Sequence, residues 1–296
     1  MHVVTLRDAA SSVTAQFVPE AGMIGTSLSD GGVELLGQRR GLDAYLTDGK
    51  TMGIPILYPW ANRLSDNTYS AQDETVTLTP GRNRVRADPN GLPIHGILAA
   101  YPRWRVTAQS DNELTAEVDF AADPESLAGF PYPHLLSVAV RLAERTLTVT
   151  ATVTASADKA VPLCFGFHPY LHLPDSGRSD WVIETPPLRH LELDGRGLPT
   201  GRTELQPARS ERLGDKAFDD AFDQVPDGAV FAVSDACRRV EVLFQQGYSA
   251  TQIFAPPAED LVCFEPMTAP TDALRRGGYR CAQPGEPAVT RFAIRV

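Results

Sequence analysis

The sequence predicts an all-β protein, built from many short strands arranged as a sandwich or a barrel. Runs of alternating apolar and polar residues recur throughout the 296 residues. The chain also carries 23 glycines and 24 prolines, which form turns and end strands. No long segment repeats apolar residues at the i, i+3, i+4, i+7 spacing of an amphipathic helix. Short strands joined by turns are therefore favoured over long helices.

The first third of the chain combines short strands with frequent turns. Residues 13–18 alternate as a half-buried strand does. Residues 53–64 contain two prolines in an apolar run, which argues against a helix or a central strand. We therefore expect an extended, buried segment that ends by presenting Asn62 and Arg63.

The later strands alternate more clearly. Residues 114–120, 135–142 and 147–154 predict three adjacent antiparallel strands with one wet face, since Thr and Val favour pleated, half-buried surfaces. Strands are also predicted at 240–244, 250–254, 261–265 and 288–296. The chain has no linker, composition shift or internal repeat, so we predict one domain over residues 1–296.

Charge and cysteine usage narrow the possible partners. The formal net charge of −10 disfavours a nucleic-acid backbone or an anionic membrane as partner. No run approaches the roughly 20 apolar residues of a membrane span, and the N-terminus does not resemble a signal peptide. The four cysteines form no CxxC pair, which is typical of reduced thiols. We predict a cytoplasmic protein.

Residues 164–174 contain the first candidate catalytic group. An apolar, strand-like run presents His168, and Pro169 ends the run at once. Histidine gains and loses a proton near neutral pH, so a donor fixed at a strand end suits acid catalysis. A histidine with a purely structural role is the alternative.

Glu265 is the carboxylate that best complements His168. Alternation in strand 261–265 places Leu261, Cys263 and Glu265 on one face, and Pro266 follows. A carboxylate held in this way is a candidate general base, and a surface glutamate is the alternative.

Other polar residues have two interpretations each. Asp219, between phenylalanines, could accept hydrogen bonds from hydroxyls or could form a turn or helix cap. Arg63 could donate to ligand oxygens or form a structural ion pair. Arg82, Arg84 and Arg86 occupy alternate positions in a polar loop. They could form a solvated edge or an anion site.

A metal or nucleotide cofactor is not expected. His95, His168 and Glu265 are residue types that bind zinc. His168 and His172 are also four residues apart, as zinc-binding histidines on a helix are, but Pro169 and its neighbours predict an extended segment. In that geometry His168 and His172 lie roughly 13 Å apart, too far to share an ion. The sequence contains no glycine-rich phosphate loop, GxSxG motif or nucleotide fingerprint.

Six motifs follow one another over most of the chain: Asn62-Arg63, His95-Gly96, Trp104, His168-Pro169-Tyr170, Asp219 and Cys263-Phe264-Glu265-Pro266. In this order they resemble the aldose 1-epimerase (galactose mutarotase-like) family. The resemblance implies a large antiparallel β-sandwich with an open sugar-binding cleft and no metal or cofactor. It also implies a small sugar as partner, and we expect a monomer or homodimer.

The resemblance implies a role for each matched residue. Glu265 would be the general base and His168 the general acid. The implied substrate-binding residues are Arg63, His95, Asp219, Asn62, Tyr170 and Trp104. Asp219 is preferred to Asp220 because it lies three residues before an aromatic, Phe222. Ile97 and Leu171 depart from the common family pattern, which affects the expected sugar more than the chemistry.

The implied activity is interconversion of the α and β anomers of a free hexose such as glucose or galactose. Glu265 would take the anomeric proton while His168 protonates the ring oxygen, so that the ring opens and recloses on the other face. Three alternatives stay open. They are a hexose-6-phosphate 1-epimerase with an extra cationic pocket, a non-catalytic sugar-binding protein, and a glycoside hydrolase using Asp219 and Glu265.

Overall fold

The computed structural model describes residues 1–296. It contains twenty-seven strands, three short α-helices and three 3-10 turns. The strands are β1 Val4–Arg7, β2 Val13–Val18, β3 Ile24–Asp30, β4 Val33–Glu34, β5 Ile56–Leu57, β6 Thr68–Ala71, β7 Glu74–Thr77, β8 Arg86–Ala87, β9 Pro93–Ile94, β10 Arg105–Gln109, β11 Glu113–Asp119, β12 His134–Ala143, β13 Thr146–Ala155, β14 Val161–Leu163, β15 Gly166–Phe167, β16 Tyr170–Leu171, β17 Val182–Thr185, β18 Leu188–Leu193, β19 Pro199–Gln206, β20 Arg209–Arg212, β21 Phe218–Asp223, β22 Ala229–Ser234, β23 Arg239–Gln246, β24 Ala250–Ala255, β25 Val262–Met267, β26 Arg280–Ala282 and β27 Ala288–Arg295. The α-helices are α1 Gly41–Asp48, α2 Pro124–Gly129 and α3 Ala273–Arg276, and the 3-10 turns are Pro19–Ala21, Phe120–Ala122 and Arg178–Asp180. No helix is both long enough and apolar enough to cross a membrane.

Two large sheets contain most of the strands. The nine-stranded sheet has the order β10-β11-β12-β13-β27-β23-β22-β17-β20. The eight-stranded sheet runs β19-β18-β21-β24-β25-β15-β5, and β16 also pairs with β25. A four-stranded sheet, β1-β2-β3-β4, and three two-stranded sheets complete the structure. Neighbouring strands in the large sheets pair antiparallel, so the predicted antiparallel β class is confirmed.

The two large sheets pack face to face through aromatic side chains. The Phe231 ring on β22 lies 5.5 Å from the Phe264 ring on β25. The Phe292 ring on β27 lies 5.1 Å from the Phe167 ring on β15. These rings belong to one core cluster of 67 buried residues. Burying each ring stabilises the sandwich by about 1.5–3 kcal/mol.

Most predicted strands are present at the expected places. Residues 13–18 form β2, and the three predicted middle strands correspond to β11, β12 and β13, which are adjacent and antiparallel. The segment 53–64 is extended and largely buried, with one two-residue strand. The prediction that a strand ends at Glu265 is wrong. β25 continues through Pro266 to Met267, because proline lacks an N–H but keeps an extended backbone.

Strand β25 is buried on both faces, which determines where Glu265 points. Val262 and Phe264 belong to the main core between the sheets. Cys263 faces the opposite way and packs with Tyr170 and Leu261 in a separate cluster. By alternation Glu265 shares the face of Cys263. A carboxylate is thus held on the outer side of a rigid core strand.

Candidate active site

His168 and Glu265 are in direct contact. His168 lies between β15 and β16, both of which pair with β25. Its Nε2 atom is 3.1 Å from the Glu265 Oε1 atom. His168 is 5% exposed and Glu265 is 2% exposed. The structure therefore brings together the two residues that the sequence singled out as acid and base.

Burial determines the proton distribution of this pair. It raises the pKa of Glu265 well above its ordinary value, and the nearby Asp219 charge adds to the effect. Burial also lowers the pKa of His168 well below its ordinary value, with smaller contributions from His95 and Arg39. A neutral Glu265–His168 pair and an ion pair differ only in which residue carries the shared proton. Low local polarity favours the neutral form.

Tyr170 holds the imidazole of His168. The two rings stack with centroids 4.3 Å apart at an angle of 8°. The Tyr170 Oη atom lies 3.2 Å from His168 Nε2 and 2.6 Å from Thr51 Oγ1. Arg39 donates to the same Oη over 3.4 Å. Tyr170, a predicted substrate-binding residue, is fully buried and contacts His168 directly.

His95 lies on another side of His168. The two rings meet edge to face with centroids 5.8 Å apart. Burial, together with the charges of Arg63 and Arg86, lowers the pKa of His95 to about 3, so its ring is neutral at pH 7. Gly96 is required beside it, since a Cβ there would lie 2.0 Å from the Tyr58 carbonyl oxygen. A neutral imidazole can both donate to and accept from a hydroxyl.

Arg63 is oriented by two side chains. Its Nε atom donates to Asp88 Oδ2 over 2.8 Å, and its Nη1 atom donates to Asn62 Oδ1 over 2.9 Å. The second terminal nitrogen has no protein acceptor. Asn62 thus acts on Arg63, and the positive charge of Arg63 opposes the rise in the Glu265 pKa.

Asp219 lies on the same face of the sheet as Glu265, and Gln252, which the sequence analysis missed, connects the two residues. Gln252 is the cross-strand partner of Glu265, and its Nε2 atom donates to Asp219 Oδ1 over 2.7 Å. Asp219 is exposed and lies opposite Phe254 in the sheet. Asp220 points to the other face, where its carboxylate lies 3.5 Å from His190. The choice of Asp219 over Asp220 is therefore consistent with the geometry.

Phe254 is the second residue that the sequence analysis missed. It is half-buried, and its ring lies 5.8 Å from that of His168 in an edge-on arrangement. Both Gln252 and Phe254 fall within predicted strand 250–254 at alternate positions. That alternation is a signal for one shared face, but the register with β25 is needed to see which face it is.

Unpartnered polar atoms concentrate around the pair. The buried atoms without a hydrogen-bond partner include His95 Nδ1, His168 Nδ1, Gln252 Oε1 and Glu265 Oε2. Leaving such a group unsatisfied costs about 1–3 kcal/mol, so natural proteins rarely collect them without a purpose. Four in one place suit a ligand that is rich in hydroxyl groups.

Trp104 lies in the main core, and the three loop arginines each have different surroundings. Trp104 packs in the main core directly before β10, at the edge of the nine-stranded sheet. Arg82 is exposed, whereas Arg84 forms ion pairs with Asp123 and Glu125. Arg86 donates to the Gly49 carbonyl, and its charge reaches His95. The three arginines therefore do not form one cluster.

Comparisons with known proteins identify the family of this chain. A family model described as "Aldose 1-epimerase" matches residues 3–292. The aldose 1-epimerase of Escherichia coli (strain K12) is 28% identical over 203 residues, which are 67% of this chain and 53% of that protein. The match therefore spans about half the length of this curated relative.

Solved structures share the fold at low identity. A galactose mutarotase-like protein from Clostridium acetobutylicum matches with a TM-score of 0.82 and 18% identity, over 99% of this chain and 98% of that chain. A protein from Synechocystis sp. PCC 6803 matches with a TM-score of 0.80 and 22% identity, over 99% and 95% of the two chains. The galactose mutarotase-like β-sandwich is thereby shown for this chain.

Proposed function

Because the chain belongs to the aldose 1-epimerase family, we propose that it is an isomerase that interconverts the α and β anomers of a free hexose such as glucose or galactose. The observation that carries the proposal is the 3.1 Å contact between His168 Nε2 and Glu265 Oε1. It lies among buried polar atoms that have no protein partner. This combination supplies an acid, a base and hydroxyl-binding groups in one place.

The mechanism uses one shared proton and two adjacent oxygens. The anomeric oxygen O1 and the ring oxygen O5 are both bonded to C1. The two oxygens are therefore close enough for two side chains in contact to exchange protons with them. The reaction proceeds from the ion-pair form of the two residues, which the neutral form reaches by moving the shared proton from Glu265 to His168. In that form Glu265, as carboxylate, takes the proton from O1 while His168, as imidazolium, gives its proton to O5. The C1–O5 bond breaks and C1 becomes an aldehyde carbon. Well-placed acid and base groups each contribute about 10²–10⁴-fold.

Reclosure reverses these proton transfers. After rotation about the C1–C2 bond, the O5 hydroxyl attacks the other face of the aldehyde. His168 takes the proton from O5, and Glu265 returns a proton to O1. Protons and electrons balance over the cycle, and no step requires a metal or cofactor.

Neighbouring residues would hold the rest of the sugar. The exposed carboxylate of Asp219 is steadied by Gln252 and can accept from ring hydroxyls. His95 and the free terminal nitrogen of Arg63 can donate to sugar oxygens. The half-buried Phe254 offers an apolar ring edge beside the pair. Holding C1 in place in this way lowers the entropic part of the barrier.

The proposed unit of function is one domain over residues 1–296. The core cluster draws residues from both large sheets and from the N-terminal four-stranded sheet, which supports this view. Cytoplasmic location and a monomeric or homodimeric state stay predictions.

Polarimetry tests the proposed function. Pure α-glucose or α-galactose is added and the approach to anomeric equilibrium is followed, with the anomeric proton signals as a second readout. We expect the protein to accelerate equilibration and Glu265→Gln to abolish the acceleration. The matched control is Glu113→Gln, an exposed carboxylate on β11 that should leave the rate unchanged. Full activity in Glu265→Gln would overturn the assignment.

A phosphorylated hexose is a second candidate substrate, and Arg86 is the observation that favours it. Arg86 is half-buried, forms no ion pair with a carboxylate, and acts electrostatically on His95. An unpaired guanidinium near the site could bind a phosphate. If glucose 6-phosphate is the true substrate, it should equilibrate faster than glucose, and Arg86→Met should remove the advantage. Equal rates for the two sugars would exclude this candidate.

A further inference from the structure

Thr51 places a hydroxyl group beside Tyr170, and no step of the proposed mechanism uses it. Its Oγ1 atom is 2.6 Å from Tyr170 Oη, and either oxygen can be the donor. Both residues are buried. Water does not readily replace a partner in an enclosed site, so the direction of this hydrogen bond has consequences for its neighbours.

The backbone holds Thr51 against β16. The Tyr170 N–H donates to the Gly53 carbonyl oxygen over 2.9 Å, and the Gly53 N–H donates to the Gly37 carbonyl oxygen over 3.2 Å. Gly53 has a φ of +58°, and a Cβ there would lie 2.1 Å from the Gly25 carbonyl oxygen. Because only glycine fits at this turn, the segment that carries Thr51 is fixed next to Tyr170.

Three polar groups surround the Tyr170 hydroxyl. Besides Thr51, they are Arg39 Nη1 at 3.4 Å and His168 Nε2 at 3.2 Å. Burial raises the pKa of Tyr170 above its ordinary value, so the hydroxyl keeps its single hydrogen at pH 7. Arginine can only donate, so Oη accepts from Arg39. The Tyr170 hydrogen therefore points either at Thr51 Oγ1 or at His168 Nε2.

The two directions correspond to the two forms of the His168–Glu265 pair. In the neutral pair Nε2 carries no hydrogen, so the Tyr170 hydroxyl can donate to it and accept from Thr51. In the ion pair Nε2 has gained the shared proton. The Tyr170 hydrogen must then turn to Thr51, so that Oη presents a lone pair to the imidazolium.

We propose that Thr51 is a positioning residue, which stabilises the reactive ion pair by accepting the Tyr170 hydrogen when His168 is protonated. The inference rests on the proposed function, because it concerns the form of the pair from which ring opening starts. Without the Thr51 oxygen, Nε2 is the one acceptor left among the groups that contact Tyr170 Oη. The Tyr170 hydrogen would then favour the neutral imidazole, and a smaller fraction of the protein would hold the ion pair.

The test measures kcat and KM for α-glucose in Thr51→Val, which keeps the shape of the side chain and removes its hydroxyl. We expect kcat to fall about tenfold with KM within about twofold, because a hydrogen bond that supports a charged group is lost. Thr51→Ala should give the same loss. Thr51→Ser keeps the hydroxyl and should stay within about threefold of wild type. Adding Tyr170→Phe to Thr51→Val should cause no further loss, since Thr51 acts only through that hydroxyl.

Thr290 provides the matched control. Its Oγ1 atom donates to Tyr248 Oη over 3.0 Å, and both residues are buried. The pair has the same two residue types, but no histidine contacts the Tyr248 hydroxyl. Thr290→Val, assayed below its melting temperature, should therefore leave kcat within about twofold of wild type.

The possible failures are distinguishable. If α-glucose is equilibrated and Thr51→Val keeps full kcat, or if Thr51→Ser loses as much as Thr51→Val, the positioning role is overturned and the proposed function stands. If the wild-type protein does not equilibrate α-glucose, the proposed function fails, and the ¹⁵N signal of His168 Nε2 decides the role of Thr51 alone. A shift of this signal in Thr51→Val that is absent in Thr51→Ser would support the role. An unchanged signal, or an equal shift in both variants, would overturn it.

Discussion

Two buried histidines show how a structural residue differs from a candidate catalytic one. His134 lies inside the sandwich, with Nε2 2.6 Å from Tyr58 Oη and Nδ1 2.5 Å from the Tyr132 carbonyl oxygen. Its ring stacks on Phe120 at 4.2 Å. His168 is equally enclosed, but its Nδ1 atom has no partner and its Nε2 atom faces Glu265.

Burial alone does not separate the two histidines. It lowers the pKa of both rings, to about 4 for His134 and well below the ordinary value for His168. The difference lies in hydrogen bonding, which is complete at His134 and incomplete at His168. Completed bonds stabilise the fold, whereas unpaired atoms beside a carboxylate are available for a ligand.

The largest expected effect is on catalysis, where substitution of the two histidines should give very different losses of rate. His168→Asn should lower kcat/KM for α-glucose by about 10²–10⁴-fold, because the proton donor to O5 is lost. His134→Asn, assayed below its melting temperature, should stay within about twofold of wild type, because its ring lies in the core. Polarimetric rates measure both. Equal losses in the two variants would contradict a catalytic role for His168 that His134 lacks.

For stability the order of the two histidines should be reversed, with the larger loss of unfolding free energy at His134. His134→Ala removes two satisfied hydrogen bonds and leaves a cavity beside Phe120, so the free energy of unfolding should fall by about 4 kcal/mol. His168→Ala removes a ring with an unpaired nitrogen and should cost less than half as much. Urea unfolding measures both values. A larger loss at His168 would contradict the structural role given to His134.

Acid should destabilise the fold through His134. The pKa of this ring falls from 6.5 to about 4 on folding, so the unfolded chain binds the proton more readily. The stability contribution is fully present above pH 6.5 and is lost between pH 6.5 and about 4, by about 3 kcal/mol. His95, with its pKa lowered to about 3, acts in the same direction. His134→Gln should flatten the slope of unfolding free energy against pH, and an unchanged slope would refute this origin.

The smallest effect tests how His168 is held. Tyr170→Phe removes the hydroxyl that contacts His168 Nε2, so kcat should fall about tenfold with little change in KM. The pH profile of kcat should also shift, because the hydroxyl is a polar neighbour of the titrating ring. Tyr45→Phe is the control, since its hydroxyl bonds the Ala100 backbone away from the pair. A change in KM alone would instead indicate a direct contact between Tyr170 and the sugar.

The strands and the principal pair were accessible to sequence reasoning because their signals are local. Alternation over residues 114–154 predicted three strands that pair in chain order, and a short hairpin joins β12 to β13. Gln252 and Phe254 were missed although their strand was predicted, since their position depends on the β24–β25 register. Arg39 was missed because its contact with Tyr170 joins segments far apart in the chain. The predicted strand end at Glu265 was wrong because Pro266 remains extended within β25.

The sequence by itself determined the β class, the extended geometry around His168 and Glu265, and the types of group available for proton transfer. Side-chain alternation and proline geometry act within a few residues, so a single chain displays them. Only the tertiary structure decided that His168 meets Glu265, that Gln252 steadies Asp219, and that Arg39 reaches Tyr170. These relations depend on strand register and sheet packing, which join residues distant in the chain and are set by the burial of the whole core.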